Sequence, residues 1–407
     1  MPIVSSLFKT LKENILSLSS KIYYSFQRRD KNIWVFGEWF GKRCCDNCLY
    51  LANYLSQNHP ELQLYWIALK DADLSALSKN VIRVEKDTLS AKSILKRAGV
   101  VLYIQGMSDI TQKPVLYYSG AMVVNLWHGV PWKKIGIDAL KSLNWKTMLK
   151  MRMQYGFYGS KFYLALSDEF ARILHKAYFC SDKHIIKAGY PRNMLFYDKE
   201  LVKQCRIKLN AYLKAHYHVT LTEPYFCIVY MPTFRDNVED VFSFNNVDNQ
   251  KLEELLDRYN AIILEKRHFV SSEKQERQSE IGNKRIFGID NDFISQELLA
   301  ASDMLITDYS SCFFDYLLLD KPIVHFLYDY HYYENDDRGL YYKKEDVACG
   351  DVAENLEQLV NTIGNNIENP QKDRLLREKR KNFYLSYESS QSCQHIYDFI
   401  QRHLYNQ

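Results

Sequence analysis

Three stretches of this sequence place residues where they could handle phosphate and protons. The first runs from Met304 to Phe326. Met304 to Ile306 are apolar, as in a buried parallel strand, and Thr307 to Ser311 are small or polar. Phe313, Phe314, Tyr316, Leu317 and Leu318 then supply a helix with a buried face, which Lys321 and Pro322 close before a new strand at Ile323 and Val324. A serine-rich turn that opens a helix beyond the carboxyl end of a strand offers free N–H groups and the positive end of the helix dipole to an anion. In an open α/β sheet that edge is where ligands bind. The competing account is plain capping, since Ser, Thr and Asp favour helix starts for their own sake. The second stretch, Leu126 to Gly136, sets His128 on a turn with Gly129 and Pro131, followed by Lys133 and Lys134. The third, Tyr230 to Asp236, sets Arg235 just after a strand.

Together these residues suit attack by a hydroxyl on phosphorus. Such a reaction needs a base for the hydroxyl proton, donors for the anionic oxygens and a stabilised leaving group. His128 is the natural base, because an imidazole titrates near neutrality. Lys133, Lys134, Arg235, Lys266 and His268 are candidate phosphate partners. A lone histidine on a turn is more often structural, but the Trp-His-Gly setting followed by two lysines favours chemistry here. Asp71 with Asp73, and Asp290 with Asp292, have the spacing of metal-binding carboxylates, yet both pairs fall in polar turns. Cys44, Cys45 and Cys48 resemble half a zinc site with no second cluster at the required spacing. Neither a metal nor a cofactor is expected.

The bulk properties narrow the class. A chain of 407 residues has material for two or three domains, and 47% hydrophobic with 25% charged residues is ordinary globular composition. A net charge of +4 is too small to imply a nucleic-acid partner. Nine scattered cysteines point to reduced thiols and a cytosolic setting. Neither a membrane span of about 18 apolar residues nor a signal peptide is expected. The charge is unevenly placed. Residues 1–29 carry Lys9, Lys12, Lys21, Arg28 and Arg29 against Glu13, an excess that equals that of the whole chain. Leu7, Leu11, Ile15, Leu18 and Ile22 recur there at helical spacing, which predicts a basic amphipathic helix over 3–27. Such a helix suits the inner leaflet of an anionic membrane and a peripheral location on its cytoplasmic face. The alternative is a helix packed on its own domain.

From Asn32 onward, short apolar strands alternate with helices. Strands are expected at 33–36, 64–69, 81–84, 100–104, 122–126, 164–166 and 184–187, then again at 225–230, 261–265, 286–287, 304–306 and 323–324. A charged helical connection over 198–222 separates the two series. Helices are expected at 139–157, at 353–364 and throughout 371–403. The pattern predicts an α/β fold of two doubly wound, mostly parallel sheets. The boundaries read as 1–30 for the N-terminal amphipathic helix, 31–205 and 206–385 for two Rossmann-like domains, and 386–407 for a C-terminal helix. This is a GT-B-like arrangement, in which the two domains face a central cleft that holds the active site, the first on the acceptor side and the second binding the donor.

The motifs together resemble the CDP-glycerol glycerophosphotransferases, the family of teichoic acid primases and polymerases, from about residue 33 to residue 350. The resemblance begins with Phe36, Gly41, Lys42, Asp46 and Asn47 and continues through Trp127 to Gly136, where the family usually has Thr for Val130 and Leu for Trp132. Gly189 to Asn193 is similar to a signature that normally ends in Asp, where this chain has Met194. Met231 to Asp236 matches with Met in place of a common Ala. Thr307 to Ser311 with Asp315, Lys321 and Pro322 matches most closely, and Arg338 to Tyr342 resembles the family's Arg-Gly-aromatic segment. Six ordered motifs are far more specific than any one.

The resemblance implies a GT-B fold and transfer of glycerol phosphate, or another polyol phosphate, from CDP-glycerol or CDP-ribitol with release of CMP. His128 corresponds to the histidine that activates the acceptor hydroxyl. His268 corresponds to a residue contacting the donor pyrophosphate, although Phe269 stands where the family has Pro. Arg235, Lys266, Thr307, Ser310, Ser311 and Asp315 fall on the donor and phosphate side, while Gly129, Lys133, Lys134, Arg192, Asn193, Asp308 and Arg338 complete the motifs. The acceptor implied is a lipid-linked or polymeric saccharide or polyol phosphate, in teichoic acid or capsule synthesis. The tyrosine-rich loop 328–342, Tyr332 and Tyr333 among it, is expected to form part of the acceptor surface, since aromatic rings suit polyol or sugar packing. Two other readings stay open from the residues: a GT-B glycosyltransferase using a nucleotide sugar, and a non-catalytic scaffold of an envelope-synthesis complex.

Overall fold

The computed structural model describes residues 15–140, 144–158, 161–233, 242–247, 249–266, 285–291, 293–335 and 339–405. The chain forms two compact units. One comprises Met1–His128, Ser142–Met194 and Tyr387–Gln407, the other Gly129–Lys141 and Leu195–Ser386. The segment Gly129–Lys141 therefore belongs to the second unit, although it lies inside the first in sequence.

The first unit is built on β1 (Asp30–Phe36), β2 (Gln63–Ala68), β3 (Ile82–Glu85), β4 (Ala98–Tyr103), β5 (Met122–Asn125), β6 (Phe162–Ala165) and β7 (Ile185–Lys187). Their order is β3-β2-β1-β4-β5-β6-β7, and every pairing is parallel. Parallel strands need crossover connections, and helices such as Asn47–Asn58, Leu89–Arg97 and Asp168–Tyr178 supply them. Sequence signals start these helices: Asp46, Thr88 and Ser167 each accept a hydrogen bond from a backbone N–H of the first turn. On one face of the sheet Ile33, Val35, Val101 and Tyr103 pack with Ala91, Ile94 and Leu95. The order of the strands reverses between β1 and β4, the point at which an open α/β sheet leaves a crevice at its carboxyl edge.

The second unit repeats the plan with β8 (Phe226–Met231), β9 (Ala261–Glu265), β10 (Ile286–Gly288), β11 (Met304–Thr307), β12 (Ile323–Phe326) and β13 (Asp351–Ala353), in the parallel order β10-β9-β8-β11-β12-β13. Its reversal lies between β8 and β11. Ile228, Ile263, Met304, Ile306 and Val324 form the middle of its core, covered by Leu252, Leu256, Leu359 and Ile363 from two helices.

Several sequence expectations change. The strand β13 was not expected: three residues with only Ala353 fully buried give too short an apolar run to read. The helix expected throughout 371–403 is two helices, Arg374–Tyr384 and Ser392–Tyr405, and the second belongs to the first unit. The helix expected from residue 139 begins at Trp145.

Residues 15–25 are helical. The side of this helix that packs on the first unit is small and polar: Ser17 and Ser20 are buried, and Ser20 Oγ accepts from Leu116 N at 3.0 Å. Arg29, just beyond it, donates to the carbonyls of Tyr24, Leu95, Lys96, Tyr117 and Ser119. Ile15, Leu18, Ile22, Tyr23 and Phe26 are exposed, Phe26 at 85%. An apolar side left in water is the reverse of a helix that covers a core. The part of the expected helix before residue 15 lies outside the described residues. Among the described residues no helix is long and apolar enough to cross a membrane.

Candidate active site

In the first unit the reactive candidate sits on the turn after β5. Trp127 adopts a left-handed φ of 59°, which a bulky residue takes only when its surroundings force it. Asn125 Oδ1 accepts from Trp127 N at 2.8 Å, and Asn47 Nδ2 donates to the Trp127 carbonyl at 2.9 Å. His128 follows, half-buried between the rings of Trp127 (5.4 Å, stacked) and Trp39 (5.9 Å, edge-on). Its Nδ1 lies 3.2 Å from the Ile104 carbonyl at the end of β4. A carbonyl only accepts, so Nδ1 carries the proton and Nε2 keeps its lone pair. Burial pushes the imidazole below its ordinary pKa, with Asp46 opposing and Arg192 assisting the shift. The ring is therefore neutral at pH 7, with one basic nitrogen, as a general base must be.

The neighbouring charges are buried. Arg192 Nη1 meets Asp46 Oδ1 at 2.7 Å, with both side chains under 10% exposed. Glu38, also buried, takes the N–H groups of Cys45 and Asp46, and burial beside Asp46 pushes its carboxyl well up. Asp109 accepts from Phe40 N, Ile104 N and Gln105 N, joining the loops after β1 and β4 at the reversal. Asn193 donates to Glu388, which also takes Tyr190 N. Arg192 and Asn193 thus brace the protein from within.

In the second unit the candidate is the turn after β11. Thr307, fully buried, donates its hydroxyl to the Met231 carbonyl at 2.7 Å. Asp308 accepts from Thr233 N and Thr233 Oγ1 at 2.6 to 3.0 Å, tying the ends of β11 and β8 together. Asp315 is buried and accepts from Gln296 Nε2 at 3.0 Å. Ser310 and Ser311 are half-buried at the start of helix Cys312–Tyr316, and Ser311 makes no side-chain cap. Gly129 lies directly against this turn. A Cβ there would stand 2.0 Å from Ser311 Oγ, so no larger residue fits without displacing that hydroxyl.

The strand-like piece after Gly129 is anchored in the same unit. Lys133 forms an antiparallel bridge with Leu340, Lys134 N donates to Gly339, and Tyr341 N donates to Trp132. The buried Trp132 ring contacts Tyr309, Phe313 and His325. The Lys133 ammonium lies 5.6 Å from the Tyr333 ring centroid. Lys266, though buried, donates to the Asp290 carbonyl at 2.8 Å. Arg235, His268 and Arg338 lie outside the described residues. Of the two tyrosines expected on an acceptor surface, Tyr333 is a core residue, 2% exposed and stacked on Tyr309 at 3.8 Å. Asp46, Asn47, Trp39 and Asp109 were not assigned roles from sequence. Asp46 and Asn47 stood in the opening motif of the resemblance, and Asp46 also carries the signal of a helix cap; Trp39 and Asp109 carried none.

Residues 21–402 match the family model described as CDP-glycerol:poly(glycerophosphate) glycerophosphotransferase. The teichoic acid glycerol-phosphate transferase of Staphylococcus aureus is 30% identical over 348 residues, spanning 82% of this chain and 84% of that protein. The teichoic acid poly(glycerol phosphate) polymerase of Bacillus spizizenii is 26% identical over 372 residues, spanning 88% and 89%. The solved structure of the wall teichoic acid polymerase TagF has the same fold, with a TM-score of 0.77 at 20% identity over 99% of this chain and 98% of that one. The chain belongs to the CDP-glycerol:poly(glycerophosphate) glycerophosphotransferase family and is a transferase of that class.

Proposed function

We propose that this transferase moves glycerol phosphate from CDP-glycerol to a hydroxyl of a membrane-associated polyol-phosphate or saccharide acceptor, releasing CMP, in the synthesis of a teichoic acid or related envelope polymer. The observation that carries the reading is the state of His128: Nδ1 faces a carbonyl, burial favours the neutral ring, and Nε2 is left basic. Nε2 takes the proton of the acceptor hydroxyl as its oxygen attacks the β-phosphorus of the donor, and CMP leaves. Ser310 and Ser311 bind donor phosphate through hydroxyl and backbone donors. Lys266 and Arg235 supply positive charge to the pyrophosphate, and His268 contacts it. Thr307, Asp308 and Asp315 shape the serine turn through their own hydrogen bonds.

The protein works at the cytoplasmic face of the membrane. Support comes from the helix at 15–25, whose apolar side chains stay in water while its serines and Arg29 fasten it to the first unit. That surface suits insertion among lipid headgroups, next to an acceptor held there.

The test is CMP release by purified protein with CDP-glycerol and a membrane extract as acceptor, beside His128→Ala. Acceptor-dependent release that disappears in the variant is expected. A variant as active as the parent would remove His128 from the mechanism. Release with CDP-ribitol and none with CDP-glycerol would change the donor and keep the reaction class.

A further inference from the structure

The backbone around His128 makes an unusual demand. Leu126, Trp127 and His128 turn sharply past the end of β5, and their three consecutive carbonyls need donors. Two side chains meet it. Asn47 Nδ2 donates to the Leu126 carbonyl at 3.3 Å and to the Trp127 carbonyl at 2.9 Å. Arg192 Nη1 donates to the His128 carbonyl at 3.1 Å. These donors are themselves locked together: Arg192 N donates to Asn47 Oδ1 at 3.2 Å, and Nη1 also holds Asp46 Oδ1 at 2.7 Å. Asp46 and Asn47 open the helix that follows β1, while Arg192 lies on the turn after β7. Three remote segments thus converge on one turn.

We propose that Asp46, Asn47 and Arg192 form a clamp that positions His128 for proton transfer, Arg192 being a positioning residue and not a phosphate ligand. The inference rests on the reading of His128 as the base. The clamp fixes the backbone carbonyl of His128 while Ile104 fixes Nδ1, so both ends of the residue are held and Nε2 is aimed by geometry. The guanidinium is committed inside the first unit, with its residue only 6% exposed. A buried ion pair contributes little net stability compared with apolar packing, and removing one partner leaves a costly charge. Its use here is directional: a guanidinium can serve a carboxylate and a carbonyl at once through its planar fork.

The clamp also sets the field at the imidazole. Asp46 and Arg192 are the charges acting directly on His128, with opposite signs. Glu38 and Asp109 lie behind them, the first against Asp46 N and the second against Ile104 N. Removing the Asp46 charge strips support from the imidazolium and leaves Arg192 uncompensated. Removing the Arg192 charge does the reverse.

The experiment uses the full chain with CDP-glycerol and a membrane extract, reading kcat, KM for CDP-glycerol and the acid limb of the kcat/KM–pH profile. Arg192→Gln is expected to lower kcat about 100-fold at nearly constant KM and to move the acid limb to higher pH. Asp46→Asn is expected to move that limb to lower pH. Loosened structure alone does not shift the limb in opposite directions. Arg192→Lys keeps the charge without the fork, so it should lose rate while the limb stays near that of the parent. If Arg192→Gln does not fold, the rate of Arg192→Lys decides the matter. Parent-like rates and an unmoved limb in folded variants would overturn the clamp while an inactive His128→Ala kept the base. An active His128→Ala would overturn both, and is thereby distinguishable.

Discussion

The turn after β5 in the first unit is held by charged side chains from far along the sequence, whereas the turn after β11 in the second is held by hydroxyl and carboxylate contacts to the adjacent strand's end. Asp46 and Arg192 are separated by 146 positions and meet as a buried ion pair behind His128. Thr307 and Asp308 reach only across to Met231 and Thr233, where β8 already lies beside β11. The difference matches the chemistry proposed for each turn. A base must have its proton affinity set, and nearby charges do that. A phosphate site must hold donors in place, and short local contacts do that without placing a competing ligand on the anion.

Mutation of each turn tests this contrast, and the largest effect belongs to the proposed base. His128→Ala should cost about 10³-fold in CMP release, the scale of a lost general base, with CDP-glycerol binding retained in equilibrium dialysis. Asp308→Ala should lower unfolding stability by about 3 kcal/mol, because it leaves the Thr233 N–H without its acceptor. Urea melts check it, and a loss below about 1 kcal/mol would mean that the second turn is not held as described.

Protonation separates the two units further. His325 is wholly buried beside Phe313 and Trp132, its Nε2 accepts from Cys349 N, and burial lowers it from 6.5 to about 4. The unfolded chain takes up that proton at a higher pH than the folded one. The contribution is therefore complete above pH 6.5 and declines as pH falls towards 4. From pH 7 to pH 5 it amounts to about 2 kcal/mol. His325→Gln should abolish that part of the acid sensitivity in urea melts at the two pH values. His128, also lowered, should leave the acid limb of activity below 6.5.

Smaller effects come from contact surfaces. Gly129→Ala pushes a methyl group onto Ser311 Oγ and should raise KM for CDP-glycerol about tenfold, with kcat less affected. An unchanged KM would separate Ser311 from donor binding. Replacing Ile22 with Glu and Phe26 with Ser should reduce co-sedimentation with phosphatidylglycerol vesicles about tenfold. Undiminished binding would remove the helix from the membrane contact.

Most of the local elements and their type were legible from the residues alone, the short strand β13 and the break between Arg374–Tyr384 and Ser392–Tyr405 excepted. Continuous apolar runs such as Val100 to Tyr103 and Ile262 to Leu264 are buried on both faces of a parallel sheet, and so are readable without context. Asp46, Thr88 and Ser167 mark helix starts because capping is a contact between near neighbours. The motifs that carry His128, Ser310 and Ser311 can be read for the same reason, since they are short and contiguous. The remaining features depend on contacts between residues far apart in the chain, and folding alone settled them. Trp132 and the Leu340 bridge assign Gly129–Lys141 to the second unit, while the helix Ser392–Tyr405 joins the first. Tyr333 is buried in the core, and the apolar side of helix 15–25 faces outward. Arg192 lies on the carbonyl of a histidine 64 positions away. Periodicity and spacing carry information over a few residues, whereas the partner of a buried charge is chosen by whichever distant segment the fold brings to it.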